Sequence, residues 1–294
     1  MRTSFIDELC ELAKKHKNLY LIVGDVGYSV VEKFQNQFPD RFINAGVAEQ
    51  SMASIAAGLA SEGNHVFVYS IANFPIFRCA EQIRNDIDYH VLPVTIVVVG
   101  GGLMYGQSGY SHHAVQDYSF MRSMPNMLIA SPGNSDETIK CLHYLVNNPQ
   151  PSYLRLGKSR GLEMNLISAA ANQPGDWSLV VKAEQSDNDK AILTTGGALS
   201  IAVEKYGKDK KVDIYTLPLW SMASKERQAE WVSKYKNIEI YEDHLIDGGF
   251  GSWLLESLAK NPTLRQRITI HALDPVVCGL VGTQNQLEKL GGLN

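Results

Sequence analysis

Residues 44–63 read NAGVAEQSMASIAAGLASEG. Met52, Ile55 and Leu59 recur at helical spacing, Ala53, Ala56, Ala57 and Ala60 keep the surface slim, and Gly63 closes the run. The pattern predicts a tightly packed, buried helix over 48–62. It opens on a carboxylate, Glu49. A glutamate is almost never fully buried without a partner, and a lone buried charge is costly. Glu49 therefore either points to water in the first helical turn, where the helix dipole favours negative charge, or meets something inside.

Working outward, short apolar, β-branched runs alternate with helical patterns. Strands are expected at 19–24, 65–71, 94–100, 127–130 and 152–156, with helices at 48–62, 77–89, 118–123 and 135–147. The N-terminal stretch is an amphipathic helix with Phe5, Leu9, Leu12 and Ala13 on one side. Continuous apolar strands separated by helices imply a parallel sheet covered on both faces. The pattern then breaks. A mixed stretch with a Pro-Gly-Asp turn and a polar charged end places a linker at 161–190, in which 177–183 reads as a strand belonging to the second domain. Strands resume at 191–195, 212–217, 238–241 and 268–273, with helices near 225–235 and 252–260. The fold class is α/β, with two parallel-sheet domains over 1–160 and 191–294.

Composition agrees. The chain has 294 residues, 45% hydrophobic and 20% charged, which is ordinary for globular chains and long enough for two domains. The net charge is -4 and no basic stripe suggests nucleic acid. No apolar run reaches the roughly 18 residues of a membrane span, and the N-terminus lacks the apolar core of a signal peptide. Four cysteines lie far apart with neither metal nor disulfide spacing, which fits a reducing cytoplasm.

In parallel α/β sheets, ligands bind at the carboxyl ends of strands. Polar or glycine-rich turns fall there: Gly24-Asp25-Val26-Gly27, Asn73-Phe74, and GGGLMYGQSGYSHHAVQD over 100–117. Five glycines in the last let backbone approach a ligand closely; the alternative is a surface loop with solvated histidines. His112, His113 and Asp117 lack the spacing of a metal site, and neither a dinucleotide nor a P-loop glycine motif is present. The stretch EIYEDHLIDGGFGSWLLESL over 239–258 reads as a strand, an acidic-His turn and glycines leading a helix; it is either a second site or only a turn with a helix start, and structural work is the simpler account of Glu242 and Asp243.

Three longer stretches carry a resemblance: RFINAGVAEQSMASIAAGLASEG, FVYSIANFPIFRCAEQIRND and YGQSGYSHHAVQDYSFMRSMPNMLIASP. In this order they strongly resemble the transketolase family, in the half that holds its pyrimidine-binding and C-terminal domains. The likeness runs through 19–160 and continues more loosely through ILTTGG and YEDHLIDGGFGS. It implies thiamine diphosphate, whose chemistry is a carbanion at thiazolium C2. In the family, a glutamate in a Gly-Ile/Val-Ala-Glu-Gln motif hydrogen-bonds the pyrimidine ring nitrogen and drives the tautomer shift that removes the C2 proton. Here that is Glu49 in Gly46-Val47-Ala48-Glu49-Gln50, and such a bond is strong in a dry site. Phe74 falls at the aromatic that stacks on the pyrimidine and Phe77 at a second ring position. Ile71 replaces an earlier aromatic, and core packing is the simpler account of it. Asp25, at the first strand's end, joins the cofactor-binding set. His112 matches the family's substrate histidine, suited to proton transfer near neutral pH, with His113 beside it. Ser108 stands where many members carry a hydroxyl-binding Asp. Lys158, flanked by Arg155 and Arg160, aligns with a phosphate-binding Arg, although Lys binds phosphate as a point charge.

The family's diphosphate domain is marked by Gly-Asp-Gly and a later Asn, and none of Gly24-Asp25-Val26, Gly175-Asp176-Trp177 and Asp247-Gly248-Gly249 opens such a segment. The resemblance thus implies one subunit of a split transketolase. Its partner, an N-terminal subunit, would hold the diphosphate and Mg²⁺, in an α2β2 assembly with this chain's alanine-rich helix against its mate. The expected reaction is transfer of a two-carbon ketol unit from a ketose phosphate or modified ketose to an aldose. Competing assignments are the β subunit of a 2-oxoacid dehydrogenase, a 1-deoxyxylulose-phosphate synthase, and a non-catalytic regulatory homologue.

Overall fold

The computed structural model describes residues 1–158, 173–185 and 188–293. Arg160 and much of the expected linker lie outside the described residues. The strands are β1 (Leu19–Val23), β2 (Phe42–Asn44), β3 (His65–Ile71), β4 (Val94–Val99), β5 (Leu128–Ala130), β6 (Ser152–Leu156), β7 (Ser178–Val181), β8 (Lys190–Thr194), β9 (Asp213–Thr216), β10 (Leu219–Trp220), β11 (Asn237–Leu245) and β12 (Ile268–Leu273). The α-helices are α1 (Arg2–Lys15), α2 (Glu32–Gln37), α3 (Glu49–Ser61), α4 (Asn73–Arg78), α5 (Ala80–Gln82), α6 (Asp117–Met121), α7 (Ser135–Asn147), α8 (Ala198–Tyr206), α9 (Gln228–Ser233), α10 (Phe250–Ser257), α11 (Pro262–Arg265) and α12 (Gln284–Leu290).

Two sheets result. The first runs β10-β5-β6-β4-β3-β1-β2 and the second β12-β11-β8-β9-β7. Both are largely parallel, as the apolar strands imply. The departures are β10, antiparallel to β5 with Leu219 opposite Ala130, and β7, antiparallel to β9. Period-two alternation sorts the first sheet's side chains. Phe67, Tyr69, Val97 and Val99 join Phe5, Leu9, Leu142 and Leu145 of α1 and α7 on one face. Val66, Val68, Ile96 and Val98 join Met52, Ala53 and Ala56 of α3 on the other. That second core continues through Trp220, Phe250 and Trp253 into the second sheet.

The helix expected at 77–89 is broken. It starts earlier, at Asn73, with Pro75 in the first turn, where its missing N–H is no loss. It then stops at Cys79 and resumes as α5 and a π-helical turn, Ile83–Asp88, in which Tyr89 N donates to Arg84 O at 3.1 Å. β2, β10, α2 and α8 carry no separate expectation; β10 has two residues, too few for any periodicity. β11 runs through Glu242, Asp243 and His244, where a turn is expected, and all three are buried.

Candidate functional site

β1, β3 and β4 are neighbours and parallel, so their carboxyl ends present Gly24-Asp25, Asn73-Phe74 and the glycine-rich segment along one sheet edge. α3 reaches that edge through a turn after β2. The Asn44 carbonyl oxygen Oδ1 accepts from Gly46 N at 2.9 Å, and Gly46 takes φ +70, a conformation that favours glycine. Asp25 Oδ1 accepts from Asn44 Nδ2 at 3.0 Å, tying the first strand's end to this turn.

Glu49 is the first residue of α3, with Ala48 as an N-cap that offers no side-chain bond. Its side chain turns inward and is 4% exposed. The partner it meets is Arg78: Nη1 donates to Glu49 Oε1 at 2.9 Å. The Arg78 guanidinium carbon also lies 4.7 Å from the centroid of the Phe74 ring, a cation–π distance. Phe74 and Arg78 are four apart on α4 and so share a face. Cys79 beside them is buried, and burial, with the Glu49 charge adding to it, pushes its thiol up to about 12. It is no nucleophile at neutral pH.

The glycine-rich segment is closed by a bridge between Gly102 and Ala114. Its glycines make room for the chain's own side chains. A Cβ on Gly101 would lie 2.9 Å from the Arg155 guanidinium, and one on Gly102 would lie 2.5 Å from the Asp243 carboxylate. Asn73, buried at the start of α4, donates from Nδ2 to Ser111 O at 3.2 Å and His113 O at 2.9 Å. This fixes His112 edge-on to Phe74, ring centroids 5.3 Å apart. His112 Nδ1 lies 2.9 Å from Ser111 Oγ. His113 instead points inside, 1% exposed, with Nε2 3.3 Å from Gly106 O.

Arg78 separates two cavities. One, of 410 Å³, is bordered by Phe74, Phe77, Tyr110 and Gln116. The other, of 560 Å³, is bordered by Val47, Ala48, Glu49 and Ser51. Phe77 is exposed, Ile71 packs partly buried against the α1-side core, and Ser108 is exposed on a short turn. Lys158 is exposed just beyond β6. The structure thus sets Phe74 and Phe77 on the first cavity, with His112 edge-on to Phe74, and Glu49 on the second, with Arg78 between them. Asn73 and Arg78 belong with them; the four-residue spacing of Phe74 and Arg78 is the signal that finds the second. A larger cavity of 590 Å³, beside Glu81, Arg84, Phe120 and Asn126, involves none of these groups except through Phe120, 6.2 Å from Phe77.

Arg155 is not brought to either cavity. It is 1% exposed, and its donors are engaged internally. Nε donates to Asp117 Oδ2 at 2.6 Å, Nη1 to Asp243 Oδ1 at 2.7 Å and Tyr118 Oη at 3.2 Å, and Nη2 to Ala114 O and Asp243 O. Burial opposes its charge, and the two carboxylates overcome this and hold its pKa up. A phosphate-flanking role needs a free surface guanidinium, which this geometry removes. Glu242 and Asp243 have structural work, as expected: Glu242 accepts from Phe250 N at 2.6 Å and Gly251 N at 3.1 Å, capping α10. Burial raises the Glu242 carboxyl to about 8.

The site suits a flat, hydrogen-bonding heterocycle. It offers a buried carboxylate, an aromatic face and, close by, the Ser70 hydroxyl, fully buried without a partner. A Cβ placed on Gly24 would lie 3.6 Å from Ser70 Oγ and 3.9 Å from Glu49 Cγ, so both side chains border the space beside Gly24. Among the described residues, no three His, Cys, Asp or Glu converge as a metal site would require, and no helix is long and apolar enough to cross a membrane.

Comparison with known proteins points the same way. The family model for the transketolase pyrimidine-binding domain matches residues 1–162. A Methanocaldococcus jannaschii protein, named provisionally as a transketolase C-terminal section, is 33% identical over 100% of this chain and 92% of its own length. One of the subunits of the apulose-4-phosphate transketolase of Phocaeicola vulgatus is 30% identical over 89% of this chain and 84% of its own. A solved split-gene transketolase, an inactive β4 tetramer, superposes with TM-score 0.82 at 25% identity, covering 100% of this chain and 93% of its own.

Proposed function

This chain belongs to the transketolase family, and from that premise we propose that it is the pyrimidine-side subunit of a split, thiamine diphosphate-dependent transketolase. The observation that carries this reading is Glu49: a buried carboxylate at the head of α3, beside an aromatic face and an opening wide enough for a ligand. The family cofactor supplies a nucleophilic carbanion at its thiazolium C2. Glu49 would donate a proton to the pyrimidine ring nitrogen, or share one with it. Phe74 would hold the ring face, with Phe77, Ile71 and Asp25 as the other cofactor-side residues. His112, over Phe74, hydrogen-bonds a substrate oxygen and holds or moves a proton there, and buried His113 braces it. Ser108 and Lys158 are the candidates for the substrate's hydroxyl and anionic ends.

The metal and the diphosphate are assigned to a partner N-terminal subunit, in an α2β2 assembly. Two similar proteins, one named as a C-terminal section and the other as a single subunit of its enzyme, support a divided enzyme. The tetramer described as inactive supports an isolated subunit without turnover. The reaction is transfer of a two-carbon ketol unit from a ketose phosphate to an aldose, with a modified ketose open as donor because Ser108 and Lys158 depart from the family's common residues; the Phocaeicola relative is named for one such sugar, apulose 4-phosphate.

A second reading has one finding behind it. A 1-deoxy-D-xylulose-5-phosphate synthase of Clostridium perfringens is 29% identical over 99% of this chain, which spans 47% of that protein. Donor choice separates the two: ketose phosphate for a transketolase, pyruvate for a synthase.

The test is reconstitution with a chain bearing the Gly-Asp-Gly…Asn diphosphate motif. Ketol transfer should need both chains, and Glu49→Ala should lower turnover at least about 100-fold, the usual scale for losing a proton-transfer group. Full turnover by this chain alone, or near-normal turnover of the variant, rejects the assignment.

A further inference from the structure

Arg78 occupies the place where the proposed cofactor ring belongs. It is planar, it lies against the Phe74 ring at 4.7 Å, and it donates a hydrogen bond to the buried Glu49 carboxylate at 2.9 Å. A pyrimidine bound by Glu49 and Phe74 would make the same pair of contacts: a planar ring on the aromatic face and an N–H toward the carboxylate. A ring seated on the Phe74 face that Arg78 covers, with its N–H on Glu49 Oε1, would displace the guanidinium from both contacts. The partners also differ in burial. Glu49 is 4% exposed and fixed at a helix start, while the Arg78 side chain is 52% exposed on the wall between the two cavities. Arg78 can swing into water and rehydrate, keeping its stem on the surface; Glu49 cannot follow it.

We infer that Arg78 is a displaceable stand-in for the cofactor pyrimidine, partnering Glu49 until the cofactor arrives and competing with it for Glu49 and Phe74. The inference rests on the proposed function. Without Arg78 a buried carboxylate would face an opening with no counter-charge, which is unfavourable. With it, Glu49 and Phe74 are held ready, and part of the cofactor's binding energy goes into moving the guanidinium. Arg78 is therefore a positioning residue whose removal should tighten cofactor binding.

The experiment titrates thiamine diphosphate with Mg²⁺ into the reconstituted two-chain complex and follows heat of binding. In parallel, the Arg78 side-chain N–H resonances of this chain are followed by NMR. Arg78→Met, which keeps the stem and loses the planar cation, is expected to bind at least roughly tenfold tighter, a change of about 1.4 kcal/mol. Arg78→Lys, charged but unable to lie flat on Phe74, should fall between. In the wild type, cofactor should shift the Arg78 resonances toward those of a solvated arginine. In the free chain Glu49→Gln should do the same without cofactor. Equal or weaker binding by Arg78→Met, or unmoved resonances on loading, overturns the stand-in while leaving the cofactor site intact. Absence of binding by wild type and variant alike overturns the cofactor assignment itself.

Discussion

His65 opens β3 with its ring buried and Nε2 3.0 Å from Thr95 Oγ1, which lies 2.9 Å from Ser152 Oγ. Burial, with a minor contribution from His16, lowers its pKa to about 4. Its folded pKa lies below the unfolded value of about 6.5, so between those values the unfolded chain binds more protons. The stabilisation is complete above about pH 6.5 and is lost as pH falls toward 4, by up to about 3 kcal/mol at 1.36 kcal/mol per unit. His244 is likewise lowered to about 4, chiefly by burial, and acts in the same sense. Glu137, raised to about 7 by burial, acts in the opposite one. The clean comparison is the slope. His65→Gln should lose less stability than wild type between pH 7 and pH 4.5 in urea melts, whatever its stability at pH 7, and parallel slopes would mean that His65 titrates normally. At this scale the sequence was informative about Glu49, since a carboxylate heading an apolar helix has either to reach water or to find a partner. It was silent on which partner, because a pairing across twenty-nine positions leaves no periodic trace. Arg78 is visible only once Phe74 is placed on the same helix.

Among the elements, β3, β6, β12 and α7 match their expected bounds, helped by readable punctuation at Gly63-Asn64 before β3, Pro151 before β6, Asn134 before α7 and Asp274-Pro275 after β12. The helix through 73–88 does not, since its breaks follow from packing at Cys79 and the π turn rather than from Gly or Pro. That difference matters, because the earlier start puts Asn73 on α4, where it grips the loop of His112. Asn73→Ala removes both donors to the Ser111 and His113 carbonyls. The expected result in the reconstituted complex is a fall in kcat/KM of roughly 10- to 100-fold, the scale of a misplacement near 1 Å. Stability should fall by no more than about 1–3 kcal/mol. Asn73→Asp, similar in shape but with acceptors in place of donors, should resemble Asn73→Ala. Rescue by Asp would show that shape alone suffices, and the positioning role would fall.

At the scale of the molecule, the two sheets are joined by β10 on β5 and by the buried cluster around Arg155. One guanidinium from β6 meets Asp117 of α6 and Asp243 of β11, with Tyr118 stacked at 4.4 Å and Tyr153 Oη donating to Asp117 at 2.6 Å. The basic run at the end of β6 suggested an anion site. Yet every residue of β6 is buried, as a central parallel strand requires, so an arginine inside it has to be paired within the protein. The strand prediction therefore already carried the answer that the basic cluster obscured. Two carboxylates share one cation, so the losses on substitution should be unequal. Arg155→Met leaves Asp117 and Asp243 buried without a counter-ion, and breaking a buried pair this way costs about 3–5 kcal/mol. Asp243→Asn leaves the guanidinium its bond to Asp117 and removes one of two like charges, so its loss should be smaller. Urea melts at pH 7 decide the order. If Asp243→Asn proves as damaging as Arg155→Met, the cluster joins the sheets through the Asp243 contact alone. If Arg155→Met is nearly neutral, the sheets are held together by apolar packing around Trp220, Phe250 and Trp253, and the ion cluster contributes little to joining them.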